Sequence, residues 1–376
     1  MIQATAMPWR LFAGIGILSV ILLVGCSGAG SSWPGMQVSG EVIYVADLDA
    51  VFAVDGRSGQ ELWRFPPKNG NAGACSGAYH ASPAVLENRI VIAAENPGTG
   101  ESRLCGLDRG SGALQWVYPP ADQRPLGPIF AGLVSDGTQV FVGTGDGWVL
   151  ALNPETGQVL WQTRLPEAGR GAARVWATPA LFGTTLIVGT MDHRLLALDG
   201  KDGTLRWAAP FQAQGAIAGA LTLDGDTLYA GAFDDHLYAV DPTTGQERWR
   251  FKANHWVWDG PAVAGERLIV GDMSGRVFAL DRQGKPLWPR PFQANGPVRA
   301  RPLVVEDRVY IADEAGWLHL VNLEDGTKVK SVNLAPGRLL TPPMTIAGQI
   351  VVAPTGGPFR LVAFRSDLTE AWKLGR

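Results

Sequence analysis

The side chains that most often carry chemistry are few and scattered in this chain. The histidines are His80, His193, His236, His255 and His319. None of them stands at an H-x-x-x-H or Cys/His spacing that would bind a metal ion. The close acidic pairs, Asp47/Asp49 and Asp224/Asp226, are more typical of hairpin turns than of calcium-binding loops. We therefore predict no catalytic residue, no metal site and no cofactor.

Two further patterns would indicate nucleophilic, phosphate or nucleic-acid chemistry, and neither is present in a usable form. There is no G-x-S-x-G elbow, and the glycine-rich stretch 143–147 lies between two predicted strands with no helix after it. The 32 basic and 35 acidic residues give a net charge of -3. This balance gives no reason to expect a nucleic-acid partner.

The first 26 residues have the pattern of a targeting segment. Arg10 precedes an apolar run, 11–24, that is shorter than the roughly 20 residues of a membrane-spanning helix. The run ends in Leu-Val-Gly-Cys, which resembles the lipobox of bacterial lipoproteins. That resemblance implies a signal peptide over 1–25, acylation of Cys26 and a flexible tether over 26–35. An ordinary secretory signal or an uncleaved anchor helix are the alternatives.

The same segment gives an expected location. Ser27 occupies the position where Asp would resemble an inner-membrane retention signal, which favours the outer membrane in an organism that has one. We expect a lipid-anchored protein outside the cytoplasm, on the periplasmic face of that membrane or otherwise on the outer face of the cell membrane.

Two cysteines remain, Cys75 and Cys105, and both fall in a longer, irregular part of the chain. Outside the cytoplasm, two such thiols more often pair than stay free. We expect a disulfide between them, with two buried free thiols as the alternative.

One sequence pattern recurs along the whole chain with a period of about 40 to 50 residues, as in "LYAVDPTTGQERW". Its first anchor is an Asp or Asn, found at Asp55, Asp108, Asn153, Asp199, Asp241, Asp281 and Asn322. Its second anchor is a Trp, found at Trp63, Trp116, Trp161, Trp207, Trp249, Trp288 and, in a worn eighth copy, Trp372. Lys330 replaces the Trp in the seventh copy. Short apolar runs broken by turn residues predict four strands per copy.

This period and strand content predict an all-β fold, an eight-bladed β-propeller of four-stranded antiparallel blades over 36–376. Seven blades plus a degenerate unit is the alternative. In the motif, the Asp is expected to accept backbone N–H bonds in a turn, and the Gly four residues later to supply a positive φ. The Trp is expected to pack between blades, with its indole N–H bonded to a carbonyl. Because "MQVSG" is a weak inner strand for blade 1, closure of the ring by pairing of the N-terminal segment elsewhere is a second alternative.

The pattern A-x-[DN]-x-x-T-G-x-x-x-W resembles the repeat of the pyrroloquinoline-quinone (PQQ)-like β-propellers. The resemblance covers nearly the whole mature chain and leaves three functions open. A PQQ-dependent dehydrogenase is disfavoured, because the chain lacks the adjacent cysteines found beside the quinone in those enzymes. Together with the lipobox and the length, the repeat resembles the BamB family of propeller lipoproteins. That resemblance implies a non-enzymatic scaffold that docks on a subunit of the outer-membrane β-barrel assembly machine. An extracytoplasmic binding propeller with another protein partner is the remaining possibility.

A partner site is expected at one mouth of the axial channel. A Pro lies near the start of the first strand in five copies, and three residues before it stand His80, Trp176, Trp258, Arg299 and Leu339. Ile129 and Ala216 hold the matching places in two other copies, and Arg301 lies nearby. Aromatic and Arg side chains dominate interface hot spots, so we predict partner contacts by Trp176, Trp258, Arg299, His80 and Arg301. The alternative is that these side chains only plug the channel.

Overall fold

The computed structural model describes residues 34–168 and 173–376. Eight four-stranded antiparallel sheets follow one another along this part of the chain, and each consists of strands in sequence order. Blade 1 contains Gly35–Ser39, Val42–Asp47, Ala50–Asp55 and Glu61–Phe65. Blade 2 contains Ala84–Val85, Arg89–Glu95, Ser102–Asp108 and Leu114–Tyr118. Blade 3 contains Val134–Ser135, Val140–Gly143, Trp148–Leu152 and Val159–Arg164. Blade 4 contains Ala180–Phe182, Thr185–Gly189, Arg194–Asp199 and Phe211–Gln212.

The second half of the ring repeats the arrangement. Blade 5 contains Thr222–Asp224, Thr227–Gly231, His236–Val240 and Glu247–Lys252. Blade 6 contains Ala262–Ala264, Arg267–Gly271, Arg276–Leu280 and Phe292–Gln293. Blade 7 contains Leu303–Val305, Arg308–Ala312, Trp317–Asn322 and Lys328–Asn333. Blade 8 contains Met344–Ile346, Gln349–Val352, Phe359–Phe364 and Glu370–Gly375. A two-stranded ladder, Arg338–Leu339 with Pro354–Thr355, and a short 3-10 helix, Gly73–Cys75, complete the elements.

The eight-bladed prediction is confirmed. In the described part of the chain, we find no helix with both the length and the hydrophobicity that a membrane span requires.

The hydrophobic core lies between the blades rather than at one centre. Each of the eight buried clusters joins two successive blades, and one of them joins blade 8 to blade 1. Alternate residues of a middle strand therefore face different neighbours. In blade 1, Ile43 and Val45 face blade 8, while Tyr44 and Ala46 face blade 2. Both faces of each sheet are buried, which explains why the middle strands are almost continuously apolar.

The recurring Trp joins each blade to the next. The indole N–H of Trp161 donates to the Gly200 carbonyl of blade 4 at 2.9 Å, one residue after that blade's motif Asp. Six of the motif tryptophans make this bond, and their carbonyl acceptors are Arg109, Pro154, Gly200, Pro242, Arg282 and Leu323. The face of the same indole packs against the motif Gly of the next blade. At Gly203, with φ of 73°, a Cβ would overlap the Trp161 ring.

The motif Asp organises the turn that carries this Gly. The Asp241 side chain accepts hydrogen bonds from the backbone N–H groups of Thr243 at 2.8 Å and Thr244 at 3.0 Å. The small residue two positions before the Asp lies directly across the ladder from the Trp, as Ala239 does from Trp249. Each conspicuous residue of the repeat thus has a packing role.

The ring closes without exchanging a strand between its ends. Within the described residues, the first strand of blade 1 pairs with the second strand of the same blade and with no strand of blade 8, so Gly35–Ser39 serves as the inner strand of blade 1. Side chains hold the seam between blades 8 and 1. The Trp372 ring lies against Gly59 of blade 1, as at the other junctions. The Arg360 guanidinium forms ion pairs with Asp47 and Asp49, each at 2.8 Å.

Candidate functional site

The axial channel opens on the face that carries the connections between blades. Because neighbouring strands are antiparallel, each first strand begins at the same end of its sheet as the turn between the second and third strands. We call this end the mouth face, and the end with the motif turns the opposite face. The channel holds a cavity of about 410 Å³, lined by residues from the connections and the first strands of all eight blades. This volume lies in the range of ligand and side-chain pockets.

The mouth is rich in aromatic side chains. Phe130 of blade 3 lies between His80 and Trp176, with ring centroids 6.1 Å and 4.9 Å away. Phe233, which follows the second strand of blade 5, packs against Trp258, which precedes blade 6, with ring centroids 4.9 Å apart. We call these residues, together with Trp256, Arg299 and Arg301, the mouth cluster.

The basic members of the mouth cluster are held by their neighbours. The Arg299 guanidinium lies 3.8 Å from the centroid of the Trp258 ring, in a cation–π contact. Arg301 donates from its guanidinium to the Thr222 hydroxyl at 3.0 Å and from its backbone N–H to Asp259 at 3.2 Å. Arg299, Arg301 and Asp259 are the charged residues among those described as lining the cavity, so its wall carries a net positive charge.

Two buried polar atoms at this site have no protein hydrogen-bond partner. They are the indole nitrogen of Trp176 and one carboxylate oxygen of Asp259. Burial raises the pKa of the Asp259 carboxyl above its ordinary value, although the nearby Arg301 acts in the other direction. Native proteins keep such groups where water or a bound partner completes them.

The structure brings together most of the residues that the sequence analysis placed at the mouth. Trp176, Trp258, Arg299 and Arg301 line the cavity, and the buried His80 lies just beyond it, 3.0 Å from the Glu95 carboxylate.

Three matching positions differ from the expected ones. Aligned on the start of the first strand, the equivalents of Trp176 are Phe130, Ala218 and Leu340, which line the cavity. The expected Ile129, Ala216 and Leu339 are buried in the body of the ring instead. Blade 3 has no Pro at the matching place, and aligning it on the start of its first strand identifies Phe130 instead of Ile129.

The remaining predicted residues lie elsewhere. Cys75 and Cys105 are joined by a disulfide with a Cα–Cα distance of 6.2 Å, which ties the connection before blade 2 to that blade's third strand. The motif tryptophans lie at the blade junctions and do not line the cavity. Cys26 lies outside the described residues.

Ser331, His319 and Asp313 have the residue types of a hydrolase triad, but their contacts give them a role in the scaffold. The Ser331 hydroxyl lies 2.8 Å from His319 Nδ1, and His319 Nε2 lies 3.1 Å from Asp313. The rings of Phe292 and Trp317 flank the buried His319. Burial alone would raise the pKa of Asp313, but hydrogen bonds from His319 and from backbone N–H groups hold it below its ordinary value. Asp313 thereby fastens the connection from blade 6, and we assign this group to the scaffold.

In the part of the chain that the structure describes, no group of three or more His, Cys, Asp or Glu side chains is placed to hold a metal ion.

Comparison with known proteins places these features in a family. The family model described as "Outer membrane protein assembly factor BamB" matches residues 27–181, 173–256 and 234–372. The outer membrane protein assembly factor BamB of Moranella endobia is 26% identical over 86% of this chain and 70% of its own length. The crystal structure of BamB from Moraxella catarrhalis superposes with a TM-score of 0.68, at 22% identity, over 87% of this chain and 92% of that one.

Quinoprotein dehydrogenases match over a smaller part. The quinohemoprotein alcohol dehydrogenase ADH-IIG of Pseudomonas putida is 27% identical over 37% of this chain. The chain spans only 21% of the length of that enzyme. The match to the assembly-factor model, in contrast, extends over nearly all of the propeller, so this chain belongs to the BamB family of outer membrane protein assembly factors.

Proposed function

We propose that this chain is a non-enzymatic, lipid-anchored scaffold that takes part in outer-membrane protein assembly by docking a protein partner on its mouth face. Cys26 would carry the lipid, and the partner would be a subunit of the β-barrel assembly machinery. The mouth cluster carries the docking part of the proposal. It concentrates Trp, Phe and Arg side chains on a rigid ring, and these residue types supply most hot-spot energy at protein interfaces.

Two observations support docking over catalysis. The residues of the repeat are committed to packing and turns, as Trp161 and Asp241 illustrate. The cavity wall combines aromatic surfaces with two guanidinium groups, and the unpartnered polar atoms of Trp176 and Asp259 can pair with groups of a bound chain. A rigid scaffold that positions such groups loses little conformational entropy on binding.

The test is affinity purification from detergent-solubilised membranes with the full-length protein. A triple variant, Trp176→Ala, Trp258→Ala and Arg299→Ala, should lose the co-purifying assembly subunit while keeping the wild-type circular dichroism spectrum. Each hot-spot truncation typically costs about 2 kcal/mol or more, so the combined loss should exceed a hundredfold in affinity.

A matched control removes exposed side chains away from the mouth. Leu160→Ala and Leu205→Ala change leucines at the outer edges of blades 3 and 4 that are 50% and 49% exposed, and partner recovery should not change. Unchanged recovery with the triple mouth variant would refute the docking surface. Stoichiometric quinone and calcium in the purified protein would refute the non-enzymatic role and favour a dehydrogenase.

A further inference from the structure

The polar groups around the axial cavity are only partly paired with one another. In the described part of the chain, the half-buried Arg301 guanidinium donates to the Thr222 hydroxyl at 3.0 Å and contacts no carboxylate. Arg301 meets Asp259 through its backbone N–H instead, at 3.2 Å. Elsewhere in the ring a buried guanidinium does reach a carboxylate, as Arg360 reaches Asp47. Because a charge held partly out of water is costly when it is unpaired, an anion bound beside Arg301 would be stabilised.

Two further atoms of the cavity wall supply one donor and one acceptor. Within the described residues, the buried indole N–H of Trp176 donates to no protein atom, and one buried carboxylate oxygen of Asp259 accepts from none. An indole nitrogen can only donate, whereas a carboxylate oxygen accepts. Trp176 precedes blade 4, while Asp259 and Arg301 precede blades 6 and 7, so the three groups lie at different points around the channel. A single molecule that pairs with all of them must carry several polar groups.

The cavity is large enough to enclose such a molecule. Its volume of about 410 Å³ lies in the range of small-molecule pockets. The rings of Phe130 and Trp258 and the side chains of Met36 and Met344 add apolar surfaces to its wall. Met36 belongs to the first strand of blade 1, so the cavity continues from the connections into the ring itself. The wall therefore suits a molecule that has an apolar body as well as polar groups.

We propose that the axial cavity binds a small organic acid that has one carboxylate, one neutral amide and an apolar body, as an N-acylated amino acid has. The carboxylate would pair with the Arg301 guanidinium, near the positive charge of Arg299. The amide carbonyl would accept from the Trp176 indole, and the amide N–H would donate to Asp259. Two arginines and one aspartate give the described wall a net charge of +1, which one carboxylate balances. A molecule with several carboxylates would leave negative charge unbalanced. The site goes beyond the proposed docking function, because it requires neither the assembly subunit nor a lipid.

Isothermal titration calorimetry of the full-length protein in detergent micelles tests the site with defined probes. N-benzoylglycine, which has the carboxylate, the amide and an aromatic body, should bind at a single site. N-benzoylglycinamide lacks the charge and should bind about tenfold more weakly or worse, because hydrogen bonds to charged groups are the stronger ones. Phenylpropionate keeps the charge and the ring but lacks the amide, so its affinity should lie between those of the other two.

Variants locate the bound acid within the cavity. Arg301→Gln should weaken the binding of N-benzoylglycine about tenfold or more, and Arg301→Lys should recover part of that loss because it keeps the charge. Arg174→Gln is the matched control, since Arg174 is an exposed arginine of the connection before blade 4 that does not line the cavity; its affinity should equal that of the wild type. In the protein with isotopically labelled tryptophan, the Trp176 indole resonance, identified by its absence from Trp176→Phe, should shift during the titration.

Several results would overturn the assignment. Equal affinity for N-benzoylglycine and its amide, or wild-type affinity in Arg301→Gln, would show that the cavity does not recognise a carboxylate. Tighter binding of inorganic phosphate, or of the capped peptide acetyl-Gly-Glu-Gly-amide, would assign the cavity to another anion or to an acidic side chain of a protein and exclude the free organic acid. If Arg301→Gln does not fold, the three probes and the Trp176 resonance still decide the question with the wild-type protein. The titrations use the protein alone, so failure of the proposed docking would leave their result unchanged.

Discussion

Replacing one motif Trp tests whether the junctions between blades hold the ring together. Trp161 is 8% exposed, lies between blades 3 and 4, and donates its indole N–H to the Gly200 carbonyl. Trp161→Ala removes the ring, its hydrogen bond and its contact with Gly203 in one change. The change removes packing only at this junction, because the hydrogen-bonded strands of blades 3 and 4 are left in place.

The expected loss follows from the buried area. A Trp side chain buries about 200 Å², which at about 25 cal/mol per Å² corresponds to about 5 kcal/mol. Measured Trp→Ala changes in protein cores cost about 3–5 kcal/mol. Trp161→Phe keeps an aromatic ring and removes only the indole hydrogen bond, while the Gly200 carbonyl still accepts from the Gln139 side-chain amide at 2.8 Å. It should therefore cost less, about 1–3 kcal/mol.

Urea unfolding at 25 °C, followed by circular dichroism, measures these free energies. Trp256→Ala is the matched control, because it removes an exposed Trp of the mouth cluster that joins no blades. That change should cost about 1 kcal/mol or less. If Trp161→Ala were no more destabilising than Trp256→Ala, the role of the motif Trp as a structural wedge would be refuted.

Three other changes have defined outcomes. At the junction of blades 7 and 8, Lys330 donates to the Asp367 carbonyl, and Leu368, with φ of 59°, occupies the motif Gly position. Lys330→Trp should therefore destabilise the ring in urea unfolding, and adding Leu368→Gly should restore stability; equal effects with and without the glycine would contradict this pairing. Because burial raises the pKa of Asp259, the folded state loses stability as the pH rises from about 4, the unfolded value, through the folded pKa. Asp259→Asn should raise the thermal midpoint at pH 7 more than at pH 4, and a pH-independent difference would contradict the assignment. Replacing Cys75 and Cys105 together by Ala removes a cross-link between residues 30 apart and should cost about 3–4 kcal/mol in urea; full stability without the bond would show that the cross-link is dispensable.

Much of the fold could be predicted because the repeat specifies local geometry. The Asp-to-Trp spacing defines where the third strand ends and the fourth begins, as Asp241 and Trp249 show. The Gly between them is required by the positive φ and by the indole that lies against it, as at Gly245. These constraints act within one hairpin or across one junction, so a pattern of single residues is enough to reveal them.

The mouth was only partly predictable, because its residues lie on connections of unequal length. Pro342 and Pro343 stand side by side before blade 8, and the first of them suggested Leu339 instead of Leu340. Asp259 carried no signal in the sequence. Its significance comes from one buried carboxylate oxygen and from its position next to Arg301, which is contributed by another blade.

Disulfide formation could not be decided from spacing alone. Cys105 lies in a regular strand and Cys75 in a long connection, and only the folding of that connection brings the two together. Tyr79 helps to fix this connection, because its hydroxyl donates to the Cys75 carbonyl at 2.6 Å. Burial raises the pKa of the Tyr79 phenol, so the hydroxyl stays protonated and can donate.

The seam between blades 8 and 1 has a consequence for how such a chain can change. Because the four strands of every sheet come from one continuous stretch of the chain, each blade is a complete module, and the two termini could lie at any of the eight junctions between blades. A circular permutant that starts in any other connection would keep every sheet intact. Whole modules could likewise be duplicated or lost in evolution without dividing a sheet between the two ends of the chain.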